Sequence, residues 1–136
     1  MEIYCIEEFK KEYDKLKKKK SYNSIEKDII DYFIGKTTSD LCSGTRLNNS
    51  TSEPYIKTRI NGKGGFRIYF LLLIKKERLF LMYMHPKTGS MGAENITDES
   101  KAKLYKLVLE GIKENNLYEI SEDKSRLVFK KLDKSE

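Results

Sequence analysis

The architecture of this chain is set by residues 55–87, which read YIKTRINGKGGFRIYFLLLIKKERLFLMYMHPK. Polar and apolar residues alternate at the start of this stretch, which predicts a strand with Tyr55, Lys57 and Arg59 on one face. A glycine-rich turn at 61–65 predicts a hairpin into an apolar strand, and a second short turn predicts another. The expected result is a meander of three antiparallel strands, at residues 55–60, 66–74 and 79–85.

Helical patterns lie on both sides of this meander. Apolar residues recur every three or four positions over residues 6–16 and 25–33, which predicts a helical hairpin before the strands. Asn23, followed by Glu26 three positions later, is typical of a capping box at the start of the second helix. After the strands, Thr97 is expected to begin a third helix with its own apolar stripe.

Three further segments complete the predicted fold. Residues 3–6 form a short apolar stretch typical of an edge strand, and residues 36–54, rich in Thr, Ser and Asn, indicate a long connection. Residues 126–129 indicate a possible fourth strand in a tail, 119–136, that is otherwise unassigned. The sequence therefore predicts an α+β fold in a single domain over residues 1–136: a helical hairpin, a twisted antiparallel β-meander and a C-terminal helix.

Composition excludes several classes of function. The longest apolar run, residues 68–74, is far shorter than the roughly 20 residues that span a bilayer. The chain starts with Met-Glu-Ile-Tyr-Cys and no apolar leader, so a cytoplasmic protein is expected, neither membrane-bound nor secreted. Cys5 and Cys42 lack metal-ligand spacing and are expected to be reduced thiols. With His85 as the sole histidine, neither a metal nor a small-molecule cofactor is expected.

The positive charge is concentrated in the meander. Residues 57–87 contain eight basic residues and one acid, whereas the rest of the chain has 19 basic and 20 acidic residues. The four lysines at 17–20 are interpreted as a solvated helix end, because several acids precede them. A basic segment that forms a sheet favours contact with a phosphate backbone.

Three motifs follow one another in the meander. They are a K-x-R strand, a double-glycine turn with an aromatic–Arg pair and a tyrosine, and an apolar strand that ends in a polar cluster, at residues 55–60, 62–69 and 79–83. In this order they resemble the RelE/ParE superfamily of bacterial toxin–antitoxin toxins. The resemblance covers about residues 1–115 and is closest over 55–87. It implies a RelE/ParE-like fold and a cognate antitoxin protein as partner.

The RNase branch of that family implies a chemistry. Its members cleave messenger RNA on the ribosome and so inhibit translation: a ribose 2′-OH attacks the adjacent phosphate without a metal. Such a reaction needs a base, an acid and cations for the charge on the phosphorane. The residues that the resemblance implies as catalytic are Arg67, His85 and Tyr83. Those that it implies as RNA- or phosphate-binding are Lys57, Arg59, Lys63 and Lys87.

Two of these residues also have a plain structural interpretation. Arg67 is expected to be an exposed strand-end residue, whose removal would leave the fold intact. His85 is the only side chain expected to exchange protons near neutral pH without a large pKa shift, yet it equally fits a strand end bonded to backbone. Lys87 stands where several RNases of the family have Arg, and lysine provides a point charge in place of a bidentate fork.

Three functions stay open from the sequence. The first is an endoribonuclease toxin that binds messenger RNA on the ribosome and is neutralised by its antitoxin. The second is a ParE-like inhibitor of DNA gyrase, a binding module with the same fold and no nuclease chemistry. The third is a divergent relative that binds nucleic acid or protein and is no longer toxic. The basic residues beside a candidate histidine favour the first.

Overall fold

The structure is a computed structural model that describes residues 1–60, 65–86 and 96–133. Helices and strands occur in a mixed order along these residues. The helices are α1 (Glu7–Lys17), α2 (Ile25–Phe33) and α3 (Asp98–Glu114). The strands are β1 (Glu2–Cys5), β2 (Thr45–Arg46), β3 (Tyr55–Ile60), β4 (Phe66–Leu73), β5 (Arg78–Pro86), β6 (Tyr118–Asp123) and β7 (Arg126–Lys131). The mixed α+β class is therefore confirmed.

These strands form one mixed sheet in the order β2-β3-β4-β5-β1-β6-β7. The antiparallel meander β3-β4-β5 forms as predicted. β1 pairs in parallel with β5, and β6 pairs with the other side of β1. The expected edge position of residues 3–6 is therefore wrong, because β1 lies inside the sheet. Its three apolar residues are buried, which an interior strand requires.

Helices cover both faces of the sheet. The apolar stripes of α1 and α2 pack on one face, where Phe9 and Phe33 meet Phe70 and Ile68 of β4. α3 packs on the opposite face. Nearly every residue of β4 is buried for this reason, and its apolar run has no polar alternation. Each large apolar side chain buried there stabilises the fold by about 1.5–3 kcal/mol.

The ends of α3 follow the sequence closely. The Thr97 hydroxyl accepts the backbone N–H of Ser100 at 3.0 Å, which caps the first turn as predicted. Asn115 adopts the left-handed conformation at φ 57° and ends the helix. The capping box predicted for α2 does not form: Ser24 occupies the N-cap without a side-chain cap bond. Glu26 instead binds the C-terminal hairpin through Leu127.

The tail forms a hairpin that extends the sheet. Strands β6 and β7 are joined by a two-residue turn at Lys124 and Ser125. Both residues have positive φ, 51° and 65°, as the tight turn of a hairpin requires. The predicted strand at 126–129 is confirmed and longer, whereas β6 was not predicted. Residues 36–54 are mostly irregular, as expected, although β2 within them adds a short edge beside β3.

Candidate functional site

Three of the predicted site residues form a row across the meander. Arg59 of β3 lies opposite Arg67 of β4, and Arg67 lies opposite His85 of β5. Directly opposed residues share a face of the sheet, with about 5 Å between their Cβ atoms. We call Arg59, Arg67 and His85 the outer row. The two arginines in register concentrate positive charge at one end of this face.

A second row lies two residues further along each strand. Lys57 is opposite Tyr69, and Tyr69 is opposite Tyr83. We call these three the inner row; the ring centroids of Tyr69 and Tyr83 are 6.4 Å apart. Both rows lie on the face of the sheet that α3 covers. Five predicted site residues are thus brought together by strand pairing: Lys57, Arg59, Arg67, Tyr83 and His85.

An irregularity in β5 turns its last residues towards that face. Tyr69 pairs with Tyr83 while Phe70 pairs with Leu81, so Met82 has no counterpart on β4. Leu81 therefore packs with α1 and α2, whereas Met82 and Tyr83 both pack on the α3 side. A regular strand would send residues 81, 83 and 85 to the same face. The bulge at Met82 redirects Tyr83 and His85.

Burial differs sharply among the five residues. Arg59 is exposed, Lys57 and Tyr83 are half-buried, and the exposed fractions of Arg67 and His85 are 1% and 4%. The expectation that Arg67 is an exposed strand-end residue is therefore wrong. β4 is an interior strand with neighbours on both sides, so its end is as enclosed as its middle. The two remaining predicted residues, Lys63 and Lys87, lie outside the described residues.

Both ring nitrogens of His85 are hydrogen-bonded. Nδ1 lies 3.0 Å from the carbonyl oxygen of Pro86, and Nε2 lies 3.2 Å from the hydroxyl of Tyr69. Because a carbonyl can only accept, Nδ1 carries the proton of the neutral ring. Nε2 is then the acceptor, and Tyr69 donates to it. The same tyrosine oxygen accepts the backbone N–H of Ile96 at 3.4 Å, one residue before the cap of α3.

The environment keeps His85 neutral. Burial lowers its pKa below the ordinary value of 6.5, and the positive charges of Arg67 and Lys57 lower it further. The bond to the Pro86 carbonyl and the charge of Glu12 act in the opposite direction. His85 is therefore an uncharged imidazole near pH 7, whose basic nitrogen Nε2 is occupied by Tyr69.

Tyr69 is the residue of this site that the sequence did not single out. It is fully buried, stacks on His85 with ring centroids 5.6 Å apart, and donates to His85. Its position in the motif, two residues after Arg67, places it on the same face of the strand. That spacing could have indicated that Tyr69 belongs to the site, but a tyrosine in an apolar strand is usually a core residue.

Tyr83 is the aromatic side chain of the site that is accessible from outside. It lines a groove of about 190 Å³ on one flank of α3, together with Glu8 of α1 and Ile96 and Ser100 at the start of α3. Burial raises the pKa of its phenol, and the negative charge of Glu12 raises it further. Tyr83 therefore stays protonated at neutral pH and can donate its proton.

The arrangement concentrates positive charge. Lys57, Arg59 and Arg67 bring three cations to one end of the sheet face, next to a neutral imidazole and a protonated phenol. Among the described residues, no group of three His, Cys, Asp or Glu side chains could hold a metal ion. No described helix is long and apolar enough to cross a membrane. In comparisons with protein-family models, curated proteins and solved structures, the chain matches none of them.

Proposed function

We propose that this protein is a toxin of the RelE/ParE kind that cleaves messenger RNA on the ribosome without a metal. The observation that carries the proposal is the register of Arg59 with Arg67 beside His85. The two guanidinium charges lie side by side at one end of the sheet and together favour a phosphate there. A phosphorane, which carries more negative charge than the phosphodiester, would gain still more from them.

The order of elements supports the same proposal. A helical hairpin precedes a three-stranded meander and a further helix follows it, as the resemblance implies. The motif residues Lys57, Arg59 and Arg67 share one face with Tyr83 and His85 despite lying on three different strands. A basic sheet segment with no such convergence would carry its charges on both faces.

In this mechanism each group has a distinct task. Lys57 and Arg59, whose side chains are the more accessible, hold the scissile phosphate, and the positive charge of the enclosed Arg67 helps to stabilise the phosphorane. His85 accepts the proton of the 2′-OH at Nε2 after the Tyr69 hydroxyl releases that nitrogen. The O2′–P bond forms, the P–O5′ bond breaks, and Tyr83 gives its proton to the leaving O5′. The products are a 2′,3′-cyclic phosphate and a 5′-hydroxyl.

A binding module without nuclease chemistry is the second candidate, and one observation favours it. Both nitrogens of His85 are already bonded and the side chain is almost fully buried, so proton transfer first requires the Tyr69–His85 bond to break. The resemblance implies that a gyrase inhibitor of this fold acts by binding through its surface and needs no catalytic base. The proposed partners are thus messenger RNA for the first candidate and gyrase for the second, with an antitoxin for both.

Inducible expression in a bacterium distinguishes the two candidates. Wild type is compared with the double variant Lys57→Ala/Arg59→Ala, which removes the two cationic side chains that are more accessible than Arg67. Lys75→Ala/Lys76→Ala is the matched control, because it removes the same charge from exposed positions at the opposite end of the β4–β5 hairpin. Growth, amino-acid incorporation, thymidine incorporation and the 5′ ends of ribosome-bound messenger RNA are followed together.

The outcomes separate clearly. The endoribonuclease is supported if wild type and the control variant stop amino-acid incorporation and produce new messenger RNA ends, and the site variant does neither. Thymidine incorporation that fails first, with no new RNA ends, supports the gyrase inhibitor. Normal growth with a folded, well-expressed wild type overturns both and leaves the non-toxic relative.

A further inference from the structure

A second groove lies on the other flank of α3, and the proposed chemistry does not use it. Its volume is about 450 Å³ and its lining includes Asn48, Tyr55, Asp98, Lys101 and Tyr105. This volume lies within the range of about 300–1,000 Å³ that is typical of sites for small organic groups. The groove at Tyr83, at about 190 Å³, lies below that range.

Aromatic stacking gives this groove a rigid wall. The rings of Tyr55 and Tyr105 are stacked, with centroids 5.7 Å apart and planes inclined by 26°. Tyr55 is fixed at both ends: its hydroxyl donates to the carbonyl of Lys101 at 3.1 Å, and its backbone N–H donates to Asn48 at 3.0 Å. Tyr105 is half-buried and so presents ring surface to the groove. A planar ligand could continue this stack.

The groove shares strand β3 with two cations of the site. Tyr55, Lys57 and Arg59 alternate along β3 and share one face. At about 3.3 Å of rise per residue, Tyr55 lies about 7 Å from Lys57 and about 13 Å from Arg59 along the strand. A flexible single strand whose phosphates contact Lys57 and Arg59 therefore reaches the groove within a few nucleotides. The rim adds Lys101, paired with Asp98 at 3.6 Å.

We propose that this groove binds one unstacked nucleobase of the single-stranded RNA whose phosphates contact Lys57 and Arg59. Tyr105, backed by Tyr55, is the stacking platform. The inference rests on the proposed function, since it assumes that the cations of the meander bind RNA. Stacking on an aromatic side chain is tolerant of base identity, so the groove adds affinity and register along the strand.

Fluorescence anisotropy with short labelled RNA tests this directly. The RNA carries 2′-O-methyl groups, so that it cannot be cleaved, and each position in turn is replaced by an abasic nucleotide. The proteins are wild type, Tyr105→Ala, Tyr105→Phe, Lys57→Ala and Leu109→Ala. Leu109 is the matched control, because it is exposed on the same helix one turn after Tyr105 and does not line the groove.

We expect Tyr105→Ala to weaken binding roughly five- to a hundredfold, with Tyr105→Phe and Leu109→Ala close to wild type. One abasic position should weaken wild type by a similar factor and leave Tyr105→Ala unaffected. The abasic series on wild type stands even if a variant is unstable. Lys57→Ala should weaken binding of every RNA and reduce its salt dependence by about one phosphate contact.

Two negative results would have different meanings. Binding that depends on Lys57 but is equal in wild type and Tyr105→Ala, with no sensitive abasic position, overturns the nucleobase site and leaves the proposed function in place. Absence of RNA binding by wild type, or binding that neither salt nor Lys57→Ala affects, overturns the proposed function together with the site.

Discussion

The hydroxyl of Tyr69 lies 3.2 Å from Nε2 of His85 and also accepts the N–H of Ile96 at 3.4 Å. One tyrosine oxygen thereby connects β4, β5 and the residue before the cap of α3. Because Pro86 accepts from Nδ1, the bond fixes the tautomer of the imidazole as well as its position. The site is therefore organised around a neutral histidine that is held from both sides.

Nuclear magnetic resonance of this histidine checks that description. We expect the ¹⁵N shifts to report the Nδ1–H tautomer at pH 7 and a pKa below 6.5, since burial and the neighbouring cations disfavour the charged ring. Tyr69→Phe removes the donor to Nε2 and should raise the pKa of His85. His85 is the sole histidine, so its assignment is unambiguous. An Nε2–H tautomer, or a pKa that Tyr69→Phe leaves unchanged, would contradict the hydrogen-bond assignment.

The same histidine should make stability depend on pH. Its folded-state pKa is lowered, so the unfolded chain binds the proton more tightly and stability falls as pH decreases through about 6.5 towards the folded value. Denaturant unfolding at a series of pH values should show this decrease, and His85→Asn should flatten it. Glu2 and Asp40 also have lowered pKa values, but their contribution is lost only below about pH 4.5. Equal slopes in both proteins would contradict the prediction.

Arg67 and Arg59 should respond differently to truncation. Arg67→Ala removes an almost fully buried side chain, so we expect a loss of about 1–3 kcal/mol in the free energy of unfolding. Arg59 is exposed, and Arg59→Ala should change stability by less than about 0.5 kcal/mol. Chemical denaturation measures both, and toxicity is compared only after folding is verified. Similar stabilities for the two variants would show that Arg67 is not buried in solution.

Glu26 should hold the C-terminal hairpin against the helices. Its carboxylate accepts the N–H of Leu127 at 2.9 Å and pairs with Arg126 at 3.1 Å and Lys17 at 3.6 Å. We expect Glu26→Ala to cost about 1–2 kcal/mol and to speed amide hydrogen exchange in β6 and β7. The control is Asp31→Ala on the same helix, where a more exposed ion pair with Lys27 should contribute less than about 0.5 kcal/mol. Exchange that is faster throughout the chain would instead indicate global destabilisation.

Local patterns in the sequence were sufficient for much of this fold. The three helices and the meander follow from periodicity, and the face shared by Lys57 and Arg59 follows from alternation. β6 was missed because only Ile120 among its six residues is buried, so its sequence resembles a polar connection. The interior position of β1 depends on its pairing with β5, about 75 residues away in sequence. Such non-local pairing leaves no trace in local periodicity.

Strand pairing brings five of the predicted residues together, but their environment was not predictable from the sequence. Strand alternation brought Tyr83 and His85 together, but the burial of Arg67 depends on neighbours that β4 acquires only in the folded sheet. Tyr69 was overlooked because a tyrosine in an apolar strand usually indicates core. Its hydrogen bonds to His85 and Ile96 connect groups far apart in sequence, and only the structure brings them together.

Met82, which has no paired residue on β4, also affects how this protein should be aligned with others. In a protein whose fifth strand lacks such a residue, side chains equivalent to Tyr83 and His85 would have to stand one position earlier to reach the same face. An ungapped alignment of the two strands would then pair His85 with a residue on the opposite side of the sheet. Correct correspondence requires a one-residue gap within the strand, where alignment procedures penalise gaps most. Apparent loss of the histidine in such a relative would be an error of alignment, and superposition of the sheets would recover it.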